Sequence, residues 1–218
     1  STLAQSQSKQ QQFLNPLLFA GVLVYASLFL KRELSVLEIW GALGIQVMGI
    51  LILYLSLTKQ KKVNSTGGVL YLFAPLAVLV LAYHQFTNSA YYLLFYFIAI
   101  WGYDSFAYST GKLIGKTPVF PKISPKKTVE GTVGGIVLTL ALLFVLNTYW
   151  LKLDLNVLMA GIVVILFAIA GDFVESFMKR SIGLKDSGSI MPGHGGILDR
   201  LDSIYLSAIP YTLIVWYA

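Results

Sequence analysis

The chain has 218 residues, 56% of them hydrophobic and 12% charged, against about 45–50% and about 25% in an ordinary soluble domain. Its mean hydropathy is +0.73, which excludes a disordered chain and leaves too little polar surface for a soluble globule. Cysteine is absent and sixteen Lys and Arg face ten Asp and Glu, so disulfide scaffolds, thiol nucleophiles and thiolate-bound metals are excluded too.

Residues 1–12 are polar and Gln/Ser-rich, with no initiating Met and no basic region of a signal peptide. The natural chain is therefore expected to begin earlier or to be processed. A bilayer core about 30 Å thick is crossed by about 20 apolar residues of helix. Seven stretches meet that length: 13–30, 39–57, 67–83, 91–109, 131–151, 157–177 and roughly 198–217. The runs are too continuously apolar for the alternating strands of a barrel. Trp40, Tyr91, Tyr149, Trp150 and Trp216 stand near their ends, as interfacial aromatics do. No fixed-period repeat is visible. The predicted class is an all-α polytopic membrane protein of about seven helices.

Basic residues set the sides. Lys9, then Lys59, Lys61 and Lys62, then Lys112, Lys116, Lys122, Lys126 and Lys127, then Lys179, Arg180, Lys185 and Arg200 fall on one side. Only Lys31, Arg32 and Lys152 fall on the other. Thirteen against three places the first side in the cytoplasm, fitting a bacterial plasma membrane. The long connections, 111–130 and 178–196, are both cytoplasmic and carry Gly, Pro and Lys, which marks them as functional loops.

Acids then point to chemistry. Asp104, Asp172, Glu175 and Asp202 fall inside predicted spans and Asp199 at the mouth of one. Each costs about 2.5–3.5 kcal/mol at a helix centre and needs a partner, either an interhelical ion pair or a functional cation. Asp172, Glu175, Ser176 and Lys179 share one helical face, and Asp199 and Asp202 share another. Neighbouring helices would bring these faces together, and oxygen ligands without sulfur suit a hard cation such as Mg²⁺.

Ser124-Pro125-Lys126-Lys127-Thr128 sets two ammonium groups and two hydroxyls before a helix, a pattern suited to anions as well as to a membrane anchor. Gly131 and Gly135 form a small-xxx-small pair, expected to serve close helix packing. The Pro192-Gly193-His194-Gly195-Gly196 stretch has a backbone able to approach a ligand, with His194 placed to orient a phosphate or steady the loop. His84 has no chemical neighbours. Gly111 to Thr117 imitates a P-loop, but has three residues between its glycines where that motif needs four. The sequon at Asn64 faces the cytoplasm and would stay unglycosylated.

Residues 176–202 read S-x-x-K-R-x₄-K-D-x-G-x₃-P-G-H-G-G-x-x-D-R-x-D, with about fourteen fixed positions. This resembles the phosphatidate cytidylyltransferases, also called CDP-diacylglycerol synthases. Asp104 to Tyr108, Ser124 to Thr128 with Glu130 and Gly131, and Gly171-Asp172 with Glu175-Ser176 match that family as well. The close resemblance covers roughly residues 101–203, which divides the chain into N-terminal membrane helices (1–100) and a catalytic membrane region (101–218). The family often has an aromatic residue where Val129 stands, and its members usually run to eight or nine spans.

The resemblance implies transfer of a cytidylyl group from CTP to phosphatidic acid, giving CDP-diacylglycerol and pyrophosphate. It implies Asp172 and Asp199 as metal ligands, bridging two metal ions with Mg²⁺ as the cofactor and a monovalent cation allowed. Lys126, Lys127, Lys179, Arg180, Lys185 and Arg200 would spread over the triphosphate and the lipid phosphate. Glu175, Asp186 and Asp202 would support them, and Asp104 and Tyr108 would line the pocket. Ser124, Thr128, Ser176, Gly195 and Gly196 are further candidate substrate contacts, beside His194. The implied partners are CTP, phosphatidic acid and the bilayer, with a homodimer allowed and no nucleic acid. Competing readings are a CTP-dependent lipid kinase, another lipid cytidylyltransferase and, from a different class, an ion-coupled transporter.

Overall fold

The computed structural model describes residues 36–60, 65–121, 124–181, 183 and 198–218. Its elements in chain order are α1 (Val36–Gln60), α2 (Ser65–Gln85), α3 (Ser89–Ile114), β1 (Pro118–Phe120), β2 (Ser124–Thr128), α4 (Val129–Leu146), α5 (Val157–Ser181) and α6 (Leu198–Tyr217). Each predicted stretch from 39 onward coincides with one of these helices, while stretch 13–30 lies outside the described residues. Helical segments Val36–Leu55, Val129–Leu151 and Val157–Ser181 are long and apolar enough to cross a membrane.

The helices are patterned for an apolar exterior. In α1, Ile39, Gln46 and Leu53 recur every seven residues and are buried, while Leu37, Trp40, Val47, Met48 and Tyr54 face outward. An exterior this apolar has lipid as its natural solvent. Helices α3 and α6 carry more hydroxyls and return them to their own turns. Thr110 Oγ1 donates to Phe106 O at 2.7 Å, Ser207 Oγ to Ser203 O at 2.6 Å and Thr212 Oγ1 to Ala208 O at 2.9 Å. Such bonds let polar side chains sit in an apolar medium without orphaned donors.

The main core lies where α3, α4, α5 and α6 meet, around Phe95, Tyr96, Leu143, Ala160, Val164, Ala168, Ala208 and Tyr211. Tyr96 and Tyr211 stack at 5.0 Å between centroids, and the Tyr96 hydroxyl donates to Ile204 O at 2.9 Å. That bond ties α3 to α6 across the bundle. Helix α4 ends in a π-turn, Asn147–Leu151, and Lys152 then takes a left-handed conformation at φ 49°. The Asn147 side chain closes that end by accepting from Leu153 N at 2.9 Å.

The all-α expectation needs one correction. Connection 111–130 is not an irregular loop: α3 continues to Ile114, and β1 and β2 then form an antiparallel hairpin pairing Pro118 with Thr128 and Phe120 with Ser124. The Pro-Val-Phe run and the β-branched threonines at either end favour extended backbone over another helical turn.

Candidate active site

The site begins with the closeness of α3 and α4. A Cβ on Gly131 would stand 2.7 Å from Ala107 O, and one on Gly135 would stand 2.7 Å from Ala107 Cβ. Only glycine allows this approach, as the small-residue spacing predicts. Thr110 Oγ1 also donates to Gly131 O at 3.2 Å, stitching the two helices together. The hairpin therefore leaves α3 and enters α4 at one fixed corner. Thr128, extended at φ −112°, caps α4 by accepting from Gly131 N at 3.2 Å. Val129 N donates to Thr117 O at 2.8 Å, and the Glu130 carboxylate receives Lys116 N, Thr117 N and Thr117 Oγ1.

Between the hairpin and α3 lies a cavity of about 340 Å³. Its wall includes Tyr103, Asp104, Tyr108 and Lys112 of α3 and Lys126, Lys127 and Thr128 of β2. Three ammonium groups against one carboxylate make its wall electropositive. Tyr108 is largely exposed, offering a ring face at the rim.

Lys127 links this cavity to the acidic face of α5. Its Nζ stands 2.6 Å from Asp172 Oδ2, with both side chains partly buried. Burial pushes the Lys127 ammonium down, but the Asp172 carboxylate, helped by Tyr103 and Asp104, holds it above the ordinary lysine value. The lysine therefore stays charged.

Behind that pair lie the remaining charges. Glu175 and Lys179, one turn apart on α5, are both buried and meet at 3.2 Å. Asp202 of α6 is buried as well; it receives Ser203 N at 2.6 Å and makes side-chain contacts with Glu175 and Asp172. Gly171 makes this meeting geometrically feasible, since a Cβ there would run into the Asp202 carbonyl oxygen. Asp172, Glu175 and Asp202, three of the acids singled out in the sequence, thus lie near one another where α5 meets α6. Among the described residues, no group of three or more His, Asp or Glu is arranged to hold a metal ion.

Placement of the other candidates divides in four. Asp104, Tyr108, Ser124, Lys126, Lys127 and Thr128 share the cavity wall. Lys179 stands apart from it, paired with Glu175, while Ser176 is half-buried on α5 and Arg180 is exposed near its end. Asp199 and Arg200 occupy the first turn of α6 without described side chains. Lys185, Asp186, His194, Gly195 and Gly196 lie outside the described residues.

Sequence reasoning missed Tyr103, Lys112 and Thr132 as cavity residues. The signal was present: positions 104, 108 and 112 repeat every four residues, one stripe on a helix.

Residues 2–218 match the family model described as "Cytidylyltransferase family". Among curated proteins, the chain is similar to a phosphatidate cytidylyltransferase of Aquifex aeolicus, 40% identical over 170 residues, which covers 78% of this chain and 64% of that relative. It is also similar to phosphatidate cytidylyltransferases of Staphylococcus saprophyticus, 44% identical over 126 residues, and Staphylococcus epidermidis, 47% identical over 115 residues. Those alignments cover 56% and 51% of this chain and 47% and 44% of the two relatives. The chain thus spans about two thirds or less of the length of these relatives.

Proposed function

The chain belongs to the cytidylyltransferase family, and we propose that it transfers the cytidylyl group of CTP to phosphatidic acid, releasing pyrophosphate and forming CDP-diacylglycerol for phospholipid biosynthesis. The observation that carries this reading is the Lys127–Asp172 contact at 2.6 Å. It couples a cation-lined cavity suited to a triphosphate with the carboxylates that meet between α5 and α6. The names of the relatives support the choice of lipid acceptor.

The chemistry asks little of a base. Phosphatidate already carries an anionic oxygen, which attacks the α-phosphorus of CTP. The bond from that phosphorus to its β-bridging oxygen breaks, and the electron pair leaves with pyrophosphate. The obstacle is repulsion between two anions, and fixed cations lower it. Lys112, Lys126 and Lys127 would receive the triphosphate, and the exposed Tyr108 would offer its ring face to the base. Asp172 holds Lys127 in place and charged. Lys179, Arg180, Lys185 and Arg200 are proposed to meet the remaining phosphate charge, together with His194, Gly195 and Gly196.

We propose that these acids hold a hard divalent ion, on the chemistry of their side chains. Asp172 and Asp202 offer only oxygen, and carboxyl groups in contact require a proton or a cation between them. Asp172 and Asp199 would hold Mg²⁺, with Glu175, Asp186 and Asp202 supporting them. When bound, such an ion neutralises phosphate charge and orients the reacting groups. We place the site at the cytoplasmic boundary of a bacterial plasma membrane crossed by about seven helices of this chain. There CTP arrives from water while the lipid keeps its chains in the bilayer.

The deciding experiment uses the full-length protein in detergent with labelled CTP, phosphatidate and Mg²⁺. Formation of CDP-lipid together with pyrophosphate is expected. CDP plus a phosphorylated lipid alcohol would indicate a kinase, and no turnover with a range of lipid acceptors would overturn the reading.

A further inference from the structure

We infer that Glu130 is a positioning residue, a clasp that fixes the hairpin to the first turn of α4 and so sets where Lys126 and Lys127 stand. The inference rests on the cytidylyl-transfer reading for its kinetic consequence and on geometry alone for the clasp itself. Glu130 Oε2 accepts from Lys116 N at 3.0 Å and from Thr117 N at 3.1 Å, and Oε1 accepts from Thr117 Oγ1 at 2.9 Å. In the reverse direction, Val129 N donates to Thr117 O at 2.8 Å. Thr117 is therefore held on both its amide and its carbonyl side by two adjacent residues of α4.

The open end of the hairpin needs such a hold. A two-stranded ribbon is marginal by itself, and this one has an irregular register between Pro118 and Phe120. Pro118 pairs with Thr128, so Thr117 and Val129 are the next positions outward, where the pairing would fray first. A carboxylate is the one side chain that can take three donors there at once. Glutamine keeps one acceptor oxygen, and aspartate is a methylene short.

Charge makes the argument sharper. Glu130 adds a negative charge beside a cavity built for a polyanion, yet it is not among the residues that line that cavity. If its effect on nucleotide were only electrostatic, removing the charge would tighten CTP binding. A clasp predicts the opposite sign, because loosened lysines bind the triphosphate less well. The carboxylate also stands in the first turn of α4, where a negative charge is favourable and its removal costs the helix a little. That small cost is common to all Glu130 variants.

The test pairs kinetics with hydrogen exchange on the full-length protein in detergent. In Glu130→Ala, the Lys116 and Thr117 amides should exchange at least about tenfold faster without nucleotide, with α5 amides unchanged. The KM for CTP should rise by about fivefold or more, with a smaller change in kcat. Thr117→Val, which removes only the hydroxyl donor, should fall between wild type and Glu130→Ala, and Glu130→Gln should recover part of the loss. The last two variants also serve if Glu130→Ala does not fold. Unchanged exchange at Lys116 and Thr117 would overturn the clasp. Faster exchange with an unchanged or lower KM for CTP would overturn the positioning role. Wild-type protein that makes no CDP-lipid would overturn the reaction reading, while the exchange data would still judge the clasp.

Discussion

Lys127 and Asp172 are 45 positions apart in the chain, and their side chains meet at 2.6 Å. The contact joins a short hairpin to a membrane helix, and it helps keep the Lys127 ammonium charged. Removing either partner leaves the other partly buried and uncompensated. For side chains 34% and 25% exposed, the expected stability loss is about 1–2 kcal/mol, between the values for surface and buried pairs. Activity should suffer far more. Asp172→Asn is expected to lower turnover at least about 100-fold with the helical signal intact, and Asp199→Asn should do the same. Near-normal turnover in either variant would remove it from the metal-ligand assignment.

Packing of α3 on α4 can be tested without reference to chemistry. Gly135→Val would drive side-chain carbon into Ala107, already 2.7 Å from an added Cβ. The expected loss is about 1–3 kcal/mol from overpacking, read as a lower melting temperature in detergent. Gly44→Ala is the control, because an added Cβ there meets nothing within 4 Å. It should be neutral or slightly stabilising, as alanine is the better helix former.

These two tests separate what was legible in the sequence from what was not. Helices could be read because lipid forces long apolar runs, and glycine spacing because close packing tolerates no Cβ. Asp172, Glu175 and Lys179 could be placed on one face because helical periodicity is rigid. The hairpin could not, since Thr117 to Thr128 lies between spans and carries no period to follow. The Lys127–Asp172 contact was equally invisible: it depends on the hairpin's position, which no local pattern fixes. Lys179 illustrates a different limit. A basic residue at a helix end reads as a phosphate ligand, and no sequence pattern weighs that role against the ion pair it makes with Glu175 one turn back.

The buried Glu175–Lys179 pair should behave as a unit. Lys179→Met alone removes the ammonium 3.2 Å from a carboxylate that is only 3% exposed, and a loss of about 3–5 kcal/mol is expected. Changing both, Glu175→Gln with Lys179→Met, removes the stranded charge and should recover much of that stability. The measurement is thermal unfolding of the two single variants and the double variant. Additive losses would mean that the two side chains act independently, against the 3.2 Å contact.

Asp202 sets stability against function. Its carboxyl is buried near those of Asp172 and Glu175, and such a grouping of acids is expected to cost the fold stability. Asparagine keeps an oxygen for the bond from Ser203 N, now 2.6 Å long, and removes the charge. Asp202→Asn should therefore melt at the same or a higher temperature than wild type without added metal, while losing most of its turnover. Mg²⁺ is expected to raise the melting temperature of the wild type clearly and that of Asp202→Asn less, because the ion relieves a repulsion that the variant no longer has. If Asp202→Asn were instead less stable and still active, the carboxylates would be acting as structural hydrogen-bond acceptors, and the case for a divalent ion between α5 and α6 would fail.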